Sequence, residues 1–158
     1  MKRHSSLSTL VGAVPGALPI VGGWAAAAGS LSLEAWVLFW ILFLWQLPHF
    51  LALGWLYRED YARADLKVIS GVDPDGRLTF GYASVYAAAL VPVSLTPTLL
   101  GITGHLYLVG ALVLSLGFLA ANAAALLRAT ALNARRAFRM SLAYLPALLT
   151  LMVVNRGF

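Results

Sequence analysis

The sequence has no cysteine and very little charge. Of its 158 residues, 11% are charged and 61% are hydrophobic, whereas about 25% of a typical globular chain is charged. The absence of cysteine excludes disulfide frameworks, thiolate metal sites and cysteine nucleophiles. The shortage of charge excludes a soluble enzyme, a disordered tail and a nucleic-acid binder, so we expect no nucleic acid among the partners.

The few charges are clustered, and this leaves four long uncharged runs, at 4–33, 35–57, 78–127 and 140–155. A membrane-spanning helix needs about 20 mostly apolar residues, and the run 78–127 is long enough for two helices separated at 101–104. The sequence therefore predicts an all-α, polytopic membrane helix bundle, a single transmembrane domain embedded in the lipid bilayer. We expect about five transmembrane helices, near 9–29, 32–57, 79–100, 105–128 and 137–155.

A cleaved signal peptide is the alternative interpretation of the first run. Lys2 and Arg3 precede an apolar stretch that contains three successive alanines, 26–28, and this order is typical of secretory signals. The stretch is long, however, and it contains Pro15, Pro19 and four glycines. These features favour a spanning helix.

The basic residues indicate the orientation in the membrane. With five spans, ten basic residues lie on one side and only Arg156 lies on the other. Basic loops of membrane proteins are mostly cytoplasmic. We therefore expect a cytoplasmic N-terminus, a cytoplasmic loop at 58–78 and a second cytoplasmic loop at 128–139.

Nearly all the acidic residues lie in the 58–78 loop. They are Glu59, Asp60, Asp65, Asp73 and Asp75, and they are interspersed with Arg58, Arg63, Lys67 and Arg77. Carboxylates that hold Mg²⁺, with bases beside them, suit a metal-bridged phosphate or diphosphate. The alternative is a loop whose charges only keep it in water. The segment 73–76, Asp-Pro-Asp-Gly, is typical of a turn.

His49 is an ionisable residue within the second predicted span, and such residues are functional candidates. If the helix continues through Tyr57, the period of 3.6 residues places Trp45, His49 and Asp60 on one face. Pro48 should kink the helix beside them. The alternative role for His49 is a hydrogen bond to a backbone carbonyl or a lipid headgroup.

Other polar and aromatic residues within the spans suggest structural roles. Asn122 lies in the middle of a span and predicts an interhelical hydrogen bond. The five tryptophans, at 24, 36, 40, 45 and 55, are mostly typical of lipid-facing or interfacial anchors.

Three segments together resemble one enzyme family. They are Trp45-Gln46-Leu47-Pro48-His49-Phe50 with Tyr57-Arg58-Glu59-Asp60-Tyr61-Ala62-Arg63-Ala64, the glycine-rich stretch 12–26, and Ala134-Arg135-Arg136-Ala137-Phe138-Arg139 with the helix that follows. In this order they resemble the haem O synthases, or protohaem IX farnesyltransferases, which belong to the UbiA-type membrane prenyltransferases. The Pro-His-Phe string is closer to this branch than to the enzymes that prenylate aromatic quinone precursors.

The resemblance implies an activity and a set of site residues. The family transfers farnesyl from farnesyl diphosphate to a vinyl group of haem B, with Mg²⁺ bound to the diphosphate, in a bacterial inner membrane. It implies that Asp60 is the catalytic carboxylate on the metal side and that His49 lies beside the haem acceptor. The implied substrate-binding residues are Trp45, Arg58, Tyr61, Arg63 and Lys67, and Asp65 would be a second metal carboxylate.

The resemblance covers only the C-terminal half of a family fold that has about nine helices. A second acidic cluster is absent from this sequence, and one cluster cannot easily bind the divalent ions that a prenyl diphosphate requires. We therefore expect the chain to be inactive alone and to need an N-terminal half as a partner, with a haem A synthase as a further candidate partner. The alternatives are a transferase for an aromatic quinone precursor and a non-catalytic membrane fragment or assembly protein.

Overall fold

The structure is a computed structural model that describes the backbone of residues 7–63 and 73–156, with side chains from Val14 onward in these ranges. This part of the chain is helical, apart from turns and an isolated antiparallel bridge between Thr103 and Arg156. The helices are α1 (Leu7–Ala28), α2 (Leu33–Leu56), α3 (Arg58–Arg63), α4 (Arg77–Leu99), α5 (His105–Leu127) and α6 (Ala131–Val154).

Four of these helices, α2, α4, α5 and α6, have the length and apolar composition of a membrane span. Helix α1 adds a shorter apolar stretch, Val14–Ala28, among the residues whose side chains are described. The predicted fold class, an all-helical polytopic membrane bundle, is therefore confirmed.

Helix α2 packs against three of the other long helices, α1, α4 and α6. Helix α5 packs between α4 and α6. Large side chains fill the middle of this arrangement, including the fully buried Phe118, Tyr144 and Leu148. Towards the α3 end the core contains small residues from four helices, at 52, 83, 125, 134 and 137. Small residues let helix backbones approach closely, so α2 and α6 meet directly at this end.

A chain of buried hydroxyl groups joins α4, α5 and α6. The Ser115 hydroxyl lies 2.8 Å from the Ser94 hydroxyl and 3.1 Å from the Tyr144 hydroxyl. The Tyr107 hydroxyl donates a hydrogen bond to the Ser94 carbonyl at 2.9 Å. All four residues are fully buried. Because unpaired polar groups are costly in an apolar interior, this chain fixes how the three helices are rotated against one another.

Replacing Ser115 by Ala should destabilise the bundle by about 1 kcal/mol, because interhelical hydrogen bonds in membranes contribute about that much. Titration with sodium dodecyl sulfate in mixed micelles measures the free energy of unfolding. Ser84→Ala is the matched control, since the buried Ser84 hydroxyl has no hydrogen-bond partner in the described part of the chain. Equal losses in the two variants would contradict a role for the hydroxyl chain.

The chain turns at 73–76, as its proline and glycine predict, and α4 begins immediately afterwards. The Gly76 amide donates to the Asp73 carbonyl at 3.2 Å. The Asp73 carboxylate is buried and accepts a hydrogen bond from the Thr79 amide at 2.7 Å. A carboxylate at this position satisfies a free amide of the first helical turn and complements the helix dipole. Asp73 therefore stabilises the start of α4.

Among the described residues, Asn122 bonds within its own helix and not across to another helix as the sequence predicts. Its amide nitrogen donates to the Phe118 carbonyl of its own helix at 2.9 Å. Its side-chain oxygen is buried and has no partner among the described residues. The geometry of one helical turn, in which residues four apart lie on the same face, accounts for the local bond.

Candidate active site

Four side chains from two helices form a cluster near the α3 end of the bundle. Trp45 and His49 come from α2, and Phe138 and Ser141 come from α6; we call these four residues the His49 cluster. The members on each helix are three or four residues apart and therefore share one face. The cluster forms because α2 and α6 pack directly against each other here.

Hydrogen bonds hold the cluster in one arrangement. His49 Nδ1 lies 2.7 Å from the Ser141 hydroxyl oxygen. The Trp45 indole donates to the Ser141 carbonyl at 2.8 Å. Ser141 itself is fully buried, whereas Trp45 and His49 are partly buried. Ser141 is thus the fixed point to which both α2 side chains are bonded.

Ring contacts fix the plane of the imidazole. The His49 and Trp45 rings are stacked with centroids 5.0 Å apart and an interplanar angle of 20°. The His49 and Phe138 rings are stacked at 5.1 Å and 25°. Phe50, which is exposed, meets the imidazole edge-on at 5.4 Å. With the plane fixed by stacking and Nδ1 fixed by Ser141, the direction of Nε2 is also fixed.

Helix α2 ends before it reaches Asp60. The backbone of Tyr57 leaves the helical region at φ −105° and ψ 21°, and the short helix α3 begins at the next residue. The Tyr61 amide still donates to the Tyr57 carbonyl at 3.0 Å. Asp60 therefore lies just beyond the end of α2, on a separate turn of helix, and no hydrogen bond or ion pair joins it to the His49 cluster within 7–63 and 73–156.

Asp60 and Arg63 form an exposed ion pair. The Asp60 carboxylate and the Arg63 guanidinium are 3.7 Å apart, and their side chains are 67% and 78% exposed. Exposed pairs contribute about 0–1 kcal/mol to stability, so a ligand can separate these two groups easily. Both charged groups are therefore accessible at the surface of the bundle.

Arg58 is held back against the bundle. Its guanidinium lies over the Trp55 ring, 4.1 Å from the ring centroid, and its Nη1 donates to the Trp55 carbonyl at 2.9 Å. Trp55 is almost completely buried. A guanidinium has five N–H donors, so Arg58 retains several that can bind an anion while its position is fixed by the indole.

Three predicted site residues remain, and the structure describes one of them. Tyr61 is partly buried on α3. Asp65 and Lys67 lie outside the described residues.

The described acidic and histidine residues do not form a closed metal site. Among 7–63 and 73–156, no three His, Asp or Glu side chains converge as metal ligands. Asp73 cannot contribute, because its buried carboxylate caps α4. Asp60 fits a Mg²⁺ ion that is shared with a phosphate ligand, since such ions use only one or two protein carboxylates and take their other ligands from phosphates and water.

One cavity of about 700 Å³ lies at the opposite end of the bundle. Its lining includes Trp24, Glu34, Leu38, Ile102, Met152 and Arg156. A second cavity of about 570 Å³ lies between α4 and α5. Neither is lined by the His49 cluster or by Asp60.

Sequence reasoning missed Phe138 and Ser141. They lie on a helix that is far from His49 in sequence, and no local pattern assigns them to it. The one available signal was a serine three residues from an aromatic residue at the start of an otherwise apolar span. The role of Trp55 was also missed. The sequence predicted an interfacial anchor, whereas Trp55 is buried and its ring lies under the Arg58 guanidinium.

The sequence matches a known protein family over most of its length. Residues 1–145 match the UbiA prenyltransferase family, and the chain therefore belongs to that family. It is 53% identical, over 99% of its length, to the protoheme IX farnesyltransferase of Solibacter usitatus, and it covers 53% of that protein. It is 44% identical, over 98% of its length, to the protoheme IX farnesyltransferase of Salinibacter ruber, and it covers 55% of that protein.

These figures confirm the family resemblance and its partial extent. The protoheme IX farnesyltransferase of Koribacter versatilis gives the same result, with 42% identity, 99% of this chain and 53% of that protein covered. The chain thus spans about half the length of the curated relatives it matches and is a homologue of haem O synthase-type prenyltransferases. No solved structure matches it.

Proposed function

We propose that this chain supplies part of a membrane enzyme that transfers farnesyl from farnesyl diphosphate to a vinyl group of haem B. The observation that carries the proposal is the 53% identity to a protoheme IX farnesyltransferase across nearly the whole chain. The relatives' shared name favours haem over an aromatic quinone precursor as the acceptor. Because the chain spans half of each relative, we propose that it acts together with the other half.

The diphosphate would bind at the α3 end of the bundle. Arg58 and Arg63 are cations with free N–H donors, and guanidinium groups bind phosphate oxygens through paired hydrogen bonds. Asp60 would hold Mg²⁺ together with the diphosphate, and bound Mg²⁺ supplies Lewis-acid stabilisation of charge on the leaving group. Lys67 and Tyr61 would add contacts to the diphosphate, and Asp65 would be a second carboxylate near the metal.

The reaction begins when the bond between farnesyl C1 and the diphosphate oxygen breaks and its electron pair leaves with the diphosphate. The allylic cation is then attacked by the π electrons of the vinyl group, which forms the new carbon–carbon bond. Water adds to the resulting cation and loses a proton, which gives the hydroxyethylfarnesyl group. Arg58 and Arg63 stabilise the departing negative charge, which is where preorganised cations contribute most to the rate.

The haem acceptor would lie against the His49 cluster. His49 is about 10 Å along α2 from the end of that helix, at a rise of 1.5 Å per residue. Trp45, Phe50 and Phe138 surround it with aromatic surface, which suits packing against a porphyrin plane. The site is then arranged with the charged reactant at the membrane surface and the apolar acceptor below it.

The orientation in the membrane follows from the basic residues. The topology predicted from the sequence has ten basic residues on one side of the membrane and only Arg156 on the other, which supports a cytoplasmic location for the loop at 58–78. We propose that the chain lies in a bacterial inner membrane, with the diphosphate site facing the cytoplasm.

Co-expression tests the proposal. The chain is produced alone, and also together with the region of the Solibacter usitatus relative that it does not cover, in cells that make haem B but lack haem O synthase. Extracted haems are then analysed by mass. We expect haem O only with co-expression. Haem O from the chain alone would contradict the need for a second half, and its absence from both strains, with both polypeptides present in the membrane, would contradict the proposed function.

A further inference from the structure

The Ser141 hydroxyl has only one proton, and the structure gives its oxygen two close polar neighbours. Its oxygen lies 2.6 Å from the Phe138 carbonyl of the same helix and 2.7 Å from His49 Nδ1. A carbonyl can only accept a hydrogen bond, so both contacts are hydrogen bonds only when Ser141 donates to the Phe138 carbonyl. In that arrangement the serine oxygen accepts from His49.

This assigns the protonation of the imidazole. Since Ser141 accepts, His49 Nδ1 must carry the proton that it donates. In the neutral ring the other nitrogen, Nε2, then has a free lone pair, because the hydrogen bond of one nitrogen sets the state of the other. Within the described residues no hydrogen bond reaches Nε2. The stacked rings of Trp45 and Phe138 hold the imidazole plane, so the lone pair has one direction.

We propose that Ser141 is a positioning residue that holds His49 in the Nδ1–H form, so that Nε2 is presented as an axial ligand to the iron of the haem acceptor. This inference rests on the proposed function. A neutral imidazole nitrogen is a common axial ligand of haem iron. Histidine ligands to metals almost always donate their other N–H to a neighbouring acceptor, and that acceptor orients the ring and raises its basicity. Ser141 occupies that position.

Trp45 strengthens the arrangement without competing for the same atoms. Its indole donates to the Ser141 backbone carbonyl, not to the hydroxyl. The serine hydroxyl therefore remains available to His49, while the backbone that carries it is bonded to α2. The result is a rigid support for one imidazole, built from two helices.

The first test measures the tautomer and requires no haem. Isotope-labelled chain in detergent, with His4→Gln and His105→Gln, retains His49 as its one histidine. Nitrogen NMR should show a protonated Nδ1 and an unprotonated Nε2 at neutral pH. Ser141→Ala should move the proton towards Nε2, and Ser141→Thr, which retains the hydroxyl, should restore the original form. A protonated Nε2 in the unaltered site, or no change in Ser141→Ala, overturns the proposal.

The second test measures the iron ligand, in the complex formed by co-expression with the other half. Ferric haem B is titrated in and its Soret band recorded. Ser141→Ala should weaken haem binding about tenfold, the lower end of the range for residues that support metal ligands, and Ser141→Thr should restore it. His49→Ala should remove the Soret band that is typical of haem iron ligated by histidine. Ser84→Ala is the control, a serine elsewhere in the bundle whose hydroxyl is buried, and should leave the titration unchanged.

The outcomes separate this inference from the function on which it rests. If the complex binds haem and neither His49→Ala nor Ser141→Ala alters affinity or spectrum, the proposed function stands and this inference alone is overturned. If the unaltered complex binds no haem, the proposed acceptor is wrong and the inference falls with it.

Discussion

Asp60→Asn should lower haem O formation by about 10²–10³-fold, the usual loss when a group that stabilises transition-state charge is removed. The asparagine has nearly the same shape as the aspartate but no negative charge, and Mg²⁺ prefers carboxylate oxygens. The fold should be unaffected, because the Asp60 side chain is 67% exposed and its pairing with Arg63 is weak. The measurement is haem O by mass in membranes of the co-expressing strain.

Glu59→Gln is the matched control for this prediction. Glu59 precedes Asp60 on α3 and is exposed. Its replacement by Gln removes the same charge from the same turn of helix. It should retain nearly full activity, which would separate a specific metal-side role of Asp60 from a general effect of loop charge. If the two variants lose activity equally, the acidic loop acts only through its total charge. If Asp60→Asn is fully active, Asp60 does not hold the metal.

The dependence of the rate on Mg²⁺ concentration gives a second test of Asp60→Asn. If Asp60 shares the metal with the diphosphate, Asp60→Asn should need a higher Mg²⁺ concentration to reach its own maximal rate, whereas Glu59→Gln should follow the unaltered protein. An unchanged Mg²⁺ profile with a lowered rate would place Asp60 near the reaction but away from the metal.

The membrane helices could be predicted because their signal is local. A span needs a long apolar run, and the charges of this sequence are clustered so strongly that the runs are visible without other information. The breaks between spans are also local features. Gly76 and Gly101, which adopt positive φ, lie in the turns that precede α4 and α5. Each of these features depends on neighbouring residues alone.

The packing between helices could not be predicted in the same way. Ser141 meets His49, and Tyr107 meets Ser94, because of how the helices are rotated about their axes. That rotation depends on the sum of many contacts, and a helix that is apolar all round gives no amphipathic stripe from which to infer it. Asn122 illustrates the difficulty, since its predicted partner on another helix was replaced by a carbonyl of its own.

The acidic loop was predicted only in part. Its carboxylates were grouped by sequence as candidates for one site, yet the structure uses Asp73 to cap α4 and leaves Asp60 at the surface. The two roles differ because Asp73 precedes a helix start by a few residues, where a buried carboxylate is stabilised by free amides. Composition alone cannot distinguish these two environments.

Gly76→Ala should destabilise the protein by about 2–5 kcal/mol, the sum of about 1–2 for the left-handed conformation and about 1–3 for overpacking. Gly76 has φ +68°, and a Cβ added there would lie 2.6 Å from the Ala129 Cβ and 3.0 Å from the Trp55 indole nitrogen. Neither neighbour can move away easily, because one is fixed to the backbone and the other is a buried ring. Titration with sodium dodecyl sulfate in mixed micelles measures the loss.

Gly81→Ala is the control and should have the opposite sign. Gly81 lies within α4, and a Cβ added there would meet no atom within 4 Å. Alanine is more favourable than glycine inside a helix by about 0.5–1 kcal/mol. Two changes from glycine to alanine, five residues apart, should therefore shift stability in opposite directions. Similar effects in both would mean that the chain does not approach Trp55 closely at Gly76.

Gly76→Ala also tests whether the turn at 73–76 supports the proposed diphosphate site. Trp55, which the new methyl group would displace, is the ring on which Arg58 rests. If Arg58 binds the diphosphate from that position, Gly76→Ala should raise the KM for farnesyl diphosphate even where the protein remains folded, while Gly81→Ala should leave it unchanged. An unaltered KM in folded Gly76→Ala would show that Arg58 does not depend on Trp55 for its contribution, and the role of the indole would then be limited to packing.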